Sequence, residues 1–511
     1  MKTKKWHGAL KRLLVLGTAV LLGTGCSAVH TAGKSEEMIT VKAPDMNMRP
    51  FEGWGTALCW WANRIGYSDV LAQKSADLFY GDQGLRMNIM RYNIGGGDDP
   101  SHHHITRTDS EVPGWRKWNE ETQTFEYDYT ADHRQLNVLL RAVKAAGDES
   151  AVEVFANSPP YFMTVSGCTS GAVNPNDNNL REECFDDFAK YLAHVTDYIQ
   201  HELGVKVVSL SPMNEPNTDY WPAYSWKQEG CHYDQGETQS KMIIATGKAL
   251  AESRSQNVLV AVSDETSTDK QLKEWYAYSD EAKRYIGRIN THTYGEEGRA
   301  AMGELAKREG FNMWMSEVDG SGKAGTRSGE MGVALWMGRK IIADLNDLMP
   351  TAWVMWQAID NHISKDGFNG NKDSGMVNLK DGYWGIAVAD HDREEIILTQ
   401  KYYGMGQFTR YIRPGSYLIE CGEDALAAYD PEKQELAVVA VNTDARKKEV
   451  RVDLAAFAQK GGSVQTIRTS GTAERGEHWA ELAPLQMDGD GFSAVLKGNS
   501  ITTWIISGVQ P

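Results

Sequence analysis

The chain has 511 residues, with 53 Lys and Arg against 69 Asp and Glu and a formal net charge of −16. That length suits a large barrel, alone or with an accessory module, rather than one small domain. The acidic balance argues against a nucleic-acid partner, which needs clustered Lys and Arg, and 41% hydrophobic residues exclude a wholly disordered chain. Sixteen Trp and 21 Tyr are a weak pointer to sugars, which flat amphipathic rings hold well, because a large core consumes aromatics too.

The first residues read as an address. Lys2, Lys4, Lys5, Lys11 and Arg12 precede the apolar run 13–22, and Gly23-Thr24-Gly25-Cys26 follows. A basic start, an apolar stretch too short to span a bilayer and a small-residue site predict an export signal over 1–25. The residues before Cys26 resemble a bacterial lipobox, with Gly23 where Leu is usual. Cys26 is therefore the expected lipidation site of a lipoprotein at the cell envelope, with plain secretion or a periplasmic protein as the alternative. Residues 26–37 form a polar tether, and apart from an anchor the mature chain is expected to be soluble and monomeric.

Cys168, Cys184 and Cys231 lie in or beside polar loops, where export permits a disulfide whose pairing the sequence does not give. No Cys-x-x-Cys spacing signals zinc. His102-His103-His104 sits in a Gly- and Asp-rich loop and is read as solvated or substrate-facing, so no metal ligand is assigned.

From residue 51 a strand–helix alternation begins. Short apolar runs ending in polar or Gly residues predict strands over 51–57, 85–93, 151–158, 207–215, 257–265, 287–294, 311–319 and 351–359. Between them lie segments of helical spacing: one opened by Ser68, one by Asp132, then 185–199, 242–251 and 331–348. Eight repeats predict an α/β fold, a (β/α)8 TIM barrel over 51–414, with a Gly-, Asp-, His- and Trp-rich insertion from Gly95 to Tyr129. Beyond residue 415 short alternating runs separated by Gly, Asp, Asn and Lys predict an appended side β-sandwich over 415–511. Residues 38–50 hold an N-terminal strand expected to pair into it.

Two carboxylates carry the chemistry. The fourth strand runs out in Asn214-Glu215-Pro216 and the seventh in Trp314-Met315-Ser316-Glu317. Barrel active sites form at the C-terminal ends of strands, and strands four and seven face each other across the mouth. Glycoside hydrolysis needs this pairing: a protonated carboxyl on the leaving oxygen and a second carboxyl across the sugar, about 5–5.5 Å away for retention and about 6.5–9.5 Å for inversion. An ionised Glu317 would raise the proton affinity of Glu215, with Arg91 holding Glu317 ionised, Asn214 reaching a ring hydroxyl, and His292 and Tyr294 orienting Glu317. Asn157 and Glu229 are further candidates for sugar hydroxyls, and Asp264 and Glu265 either reach the sugar or bond the barrel rim. Trp60, Trp61, Tyr161, Trp221, Trp226, Trp356 and Trp384 fall at strand ends, where they either stack on sugar or close the barrel top.

Asn214-Glu215-Pro216 and Trp314-Met315-Ser316-Glu317, together with Phe51-Glu52-Gly53-Trp54-Gly55-Thr56 and Tyr402-Tyr403-Gly404-Met405-Gly406-Gln407-Phe408, resemble glycoside hydrolase family 30 across residues 38–511. The resemblance implies a retaining mechanism with Glu215 as acid/base and Glu317 as nucleophile, and no metal or organic cofactor. Cys59-Trp60-Trp61-Ala62, Asn157-Ser158-Pro159-Pro160-Tyr161-Phe162-Met163 and Trp226-Lys227-Gln228-Glu229-Gly230-Cys231 look most like its endo-β-1,6-galactanase branch, and so imply a β-linked glycan as substrate. The alternatives are another family 30 specificity (β-1,6-glucanase, xylanase, β-glucosidase or glucosylceramidase), a surface glycan-binding protein without catalysis, and a metal-dependent barrel hydrolase.

Overall fold

The computed structural model describes residues 36–107, 110–319, 330–367 and 384–511. The expected export signal and Cys26 lie outside them. Eight parallel strands close a barrel in chain order: β1 (Gly53–Ala57), β2 (Ile89–Asn93), β3 (Ala151–Phe155), β4 (Val207–Ser211), β5 (Leu259–Glu265), β6 (Ile286–His292), β7 (Met313–Glu317) and β8 (Ala352–Met355). β8 returns to β1 in parallel register, Val354 opposite Gly55. Seven sit inside the runs expected from sequence, and β6 starts one residue before its run, at Ile286. β4 stops four residues earlier than expected, at Ser211, just before Pro212, which has no N–H to give the ladder.

Helices follow the strands. Ser68 caps Asp69–Phe79 by accepting the Leu71 N–H, which satisfies one of the free donors of the first turn. Asp132 precedes His133–Ala146 but does not cap it. Its carboxylate instead accepts from the Tyr92 hydroxyl and from Gln135 Nε2, and burial raises it to about 7.

The barrel interior is charged where apolar layers are usual. Arg91, Glu153, Arg288 and Asn290 all point inward and are fully buried. Glu153 accepts from Arg91 Nε at 2.8 Å, Ser209 at 2.8 Å and Asn290 at 2.9 and 3.0 Å, and it also pairs with Arg288. The Arg288 guanidinium lies 3.4 Å from the centre of the Trp314 ring. Buried charges persist only when paired this closely, and the lattice they form is the floor of the site above.

The C-terminal region is two sheets. One has six strands in the order Tyr417–Glu420, Ala425–Asp430, Glu435–Asn442, Ser500–Ser507, Ser463–Ser470, Glu477–Gln486; the other joins Glu37–Thr40, Lys448–Asp453 and Gly491–Leu496. Glu37–Thr40 pairs in parallel with Lys448–Asp453. The strand Glu435–Asn442 reads as an unbroken apolar run because both of its faces are covered. Leu436, Val438 and Ala440 join the core between the sheets, while Ala437, Val439 and Val441 pack with Met405 and Phe408 in the barrel core.

Two small sheets were not visible in the sequence. Arg116–Asn119 and Thr124–Tyr127 form a hairpin inside the insertion after β2, and Ile359–Ile363, Ala387–Asp390 and Glu395–Leu398 form a three-stranded sheet after β8. The disulfide that export permits among Cys168, Cys184 and Cys231 is not formed: among the described residues Cys59, Cys168, Cys184, Cys231 and Cys421 are all free and buried thiols. No described helix is long and apolar enough to cross a membrane.

Candidate active site

A cavity of about 550 Å³ opens at the C-terminal ends of the strands, and Glu215 and Glu317 both line it. Glu317 is the last residue of β7 and Glu215 lies in the segment after β4. A carboxylate oxygen of each and a ring nitrogen of His292 lie within 4.8 Å of one another. Both glutamates are nearly buried, at 8% and 4% exposure, so their charges are felt strongly.

Glu317 is gripped from below and from the side. Arg91 Nη1 donates to its Oε2 at 3.2 Å, and the Tyr294 hydroxyl donates to its Oε1 at 3.1 Å. Burial, helped by facing Glu215, raises this carboxyl to about 7 against the pull of His292 and Arg91. Arg91 bonds Glu317 as expected from sequence, but its charge is shared with Glu153 and Asp264, which weakens its hold.

Glu215 is held by a different set. The Tyr220 hydroxyl donates to its Oε2 at 2.6 Å, and His292 Nδ1 lies 3.2 Å from its Oε1. The same His292 nitrogen is 3.6 Å from Glu317 Oε1, and Nε2 is 3.2 Å from Asp264 Oδ1. Burial opposes charge on this ring, but Glu317 and Asp264 outweigh it and lift its pKa to about 10. His292 therefore bridges the two glutamates as a cation, where the sequence suggested only a support for Glu317.

The backbone here is strained. Glu215 has φ +46° and Asp264 φ +67°, a region that costs L-residues on the order of 1–3 kcal/mol each. The two are tied together, because the Glu215 N–H donates to the Asp264 carbonyl at 2.8 Å. Asp264 is fully buried and held at about 2: burial opposes its charge, but Arg91 and His292 outweigh it. It pairs with Arg91, His292 and the Ser316 hydroxyl, so it belongs to the rim, as does Glu265, which accepts the Asn217 N–H.

The remaining expected residues divide. Asn214 lines the cavity, and its buried Oδ1 has no hydrogen-bond partner among the described residues. Trp221, Trp226, Trp356 and Trp384 also line it. Trp60 stands behind Trp356, ring centres 4.9 Å apart. Trp61 is corrected from a sugar-stacking candidate to a core residue: it is fully buried against Phe79 and its indole donates to the Ala57 carbonyl. Tyr161 packs on Phe125 and Phe162 away from the cavity.

Glu229 is corrected likewise. It is buried and accepts the Gly96 and Gly97 N–H groups at 3.1 Å, so it pins the insertion after β2 rather than facing the cavity. Asn157 is buried beside Cys59 and does not reach the cavity wall. Tyr220 was missed; its only signal was its place five residues after Glu215.

Residues 40–285 match the model of O-glycosyl hydrolase family 30. An endo-beta-1,6-galactanase of Hypocrea rufa is 28% identical over 489 residues, covering 91% of this chain and 94% of that protein. An exo-beta-1,6-galactobiohydrolase of Bifidobacterium longum subsp. longum is 26% identical over 478 residues, covering 74% of this chain but 31% of its own length. Among solved structures, a conserved exported protein from Bacteroides fragilis superposes with a TM-score of 0.73 at 18% identity, over 92% of this chain and 100% of that one. The catalytic domain of a family 30 xylanase from Talaromyces cellulolyticus gives 0.66 at 16% identity over 92% and 100%. Residues 40–285 thus match the family that the chain's motifs resemble.

Proposed function

We propose that this protein is a retaining glycoside hydrolase that cuts β-1,6-linked galactan internally, with Glu317 as nucleophile and Glu215 as acid/base. The observation that carries the reading is the approach of the two carboxylates to within 4.8 Å across one cavity. A separation that short leaves no room for a water between sugar and base, and so favours direct attack by one carboxylate over inversion.

In the first step Glu317 attacks the anomeric carbon while Glu215 gives its proton to the departing oxygen. In the second, Glu215 takes a proton from water, which displaces Glu317. His292 and Arg91 stabilise the carboxylate that each half-reaction releases, and the open Oδ1 of Asn214 is placed to accept a hydrogen bond from a sugar hydroxyl. The galactan preference is supported by the two β-1,6-galactan-acting relatives, and the internal cut by the longer-matching of them.

The test is hydrolysis of β-1,6-galactan beside β-glucans and xylans, with product sizing and proton NMR of the first sugar released. Mixed galacto-oligosaccharides appearing first as the β-anomer support the proposal. A first-formed α-anomer removes the retaining mechanism, and release of terminal units alone removes the internal cut. Export and anchoring through Cys26 rest on the N-terminal residues; incorporation of labelled palmitate, lost in Cys26→Ala, tests them.

A further inference from the structure

Two loops of the barrel mouth meet at a second cluster, apart from the two glutamates. Asp98 and His104 come from the segment after β2 and Cys168 from the segment after β3. Each presents one ligand atom, and the carboxylate oxygen, ring nitrogen and sulfur all lie within 4.8 Å of one another. The His104 ring sits between its neighbours, Nε2 3.2 Å from Cys168 Sγ and Nδ1 2.8 Å from Asp98 Oδ2.

The second of these contacts is close without being a hydrogen bond. Asp98 Oδ2 and His104 Nδ1 are both buried, and neither has a hydrogen-bond partner among the described residues. The Asp98 side chain is only 9% exposed, and its other oxygen is fixed by the Thr169 N–H at 3.1 Å, which aims Oδ2 into the cluster. Cys168 is fully buried, and its sulfur accepts the Tyr224 N–H at 3.2 Å. A carboxylate oxygen and a ring nitrogen this close need a proton or a cation between them. A tetrahedral zinc with ligands at about 2.0–2.1 Å holds them about 3.3 Å apart, so the two groups open by about half an ångström to seat one ion. A thiolate beside an imidazole selects a borderline-soft ion over calcium or magnesium, which take oxygens.

We propose that Asp98, His104 and Cys168 form a binding site for one zinc-class divalent ion, which fastens the loop after β2 to the loop after β3. Binding releases the Cys168 thiol proton and replaces it with a metal–sulfur bond. The site lies beside the cleft wall: the Thr106 and Arg107 N–H groups donate to the Trp226 carbonyl at 3.1 and 3.0 Å, and Arg107 and Trp226 line the cavity. This inference is independent of the proposed hydrolysis.

The experiment loads the full chain with Zn²⁺, dialyses it against metal-free buffer and measures retained zinc by mass spectrometry. A parallel sample with Co²⁺ is read for a thiolate-to-cobalt charge-transfer band. About one zinc per chain and a cobalt band are expected; the band disappears in Cys168→Ser, and zinc affinity falls at least tenfold in Asp98→Asn. Glu317→Gln keeps both signals, which separates this cluster from the one at Glu215, His292 and Glu317. Absence of the band in the unaltered protein, or equal zinc retention in Asp98→Asn, overturns the proposal whether or not Cys168→Ser folds.

Discussion

Tyr220 donates its hydroxyl to Glu215 Oε2 across 2.6 Å, and so fixes the rotamer of the proposed acid/base. A hydrogen bond to a charged group is worth about 1.5–3 kcal/mol, which converts to roughly 10- to 100-fold in rate. Tyr220→Phe is expected to lower kcat on β-1,6-galactan by that factor and to change KM far less. Steady-state kinetics check it; a change confined to KM would place Tyr220 in sugar binding instead.

The raised carboxyl of Glu317 has two consequences for pH. Attack needs the ionised form, so the acidic limb of kcat/KM should lie near pH 7 rather than near 4.5. A limb in the ordinary carboxylate range would contradict this.

Stability should follow the same group. A carboxyl raised in the folded state binds its proton more tightly folded than unfolded. Its stabilising contribution is full below the unfolded value and is lost as pH rises through about 7. Glu317→Gln, which never ionises, should therefore melt a few degrees above the unaltered protein at pH 8, with the gap closing at pH 4. Calorimetry at both pH values checks the sign.

Arg91 holds together Glu153, Asp264 and Glu317 from a position with no solvent access. Arg91→Met removes the cation that the three buried carboxylates share, leaving them only Arg288 and His292, and should cost about 3–5 kcal/mol of stability. Adding Glu153→Gln should return part of that loss. Urea unfolding of the single and double variants measures it; no recovery in the double would mean that the two side chains are not coupled.

Trp61 and Trp356 separate stability from binding. Trp61→Ala empties a packed site and should cost about 3–5 kcal/mol, with KM little changed in protein that still folds. Trp356→Ala removes a cavity wall and should raise KM at a smaller cost in stability. The paired melting curves and KM values decide whether the two rings play different parts.

The barrel was legible because each of its strands is a short apolar run bounded by polar residues, and Glu215 and Glu317 were legible because they stand where such runs end. Other parts were hidden for physical reasons. Glu153 and Arg288 look like surface charges in one dimension, and only closure of the barrel brings them together with Arg91. Trp60 and Trp61 are sequence neighbours, yet one stands behind the Trp356 wall and the other faces Phe79. Glu229 carries the same carboxylate as a sugar-binding residue but spends one oxygen on the Gly96 and Gly97 amides. The left-handed backbone at Glu215 and Asp264 has no glycine to announce it.

The division of labour between Glu215 and Glu317 is tested most directly by azide rescue of their alanine variants on an activated aryl β-galactoside. With Glu317→Ala the account predicts an α-galactosyl azide, because azide enters from the face that the missing nucleophile leaves open. With Glu215→Ala it predicts a β-galactosyl azide, because the galactosyl–Glu317 bond forms first and is then displaced. The reverse pairing of products, or a single configuration from both variants, would contradict the assignment.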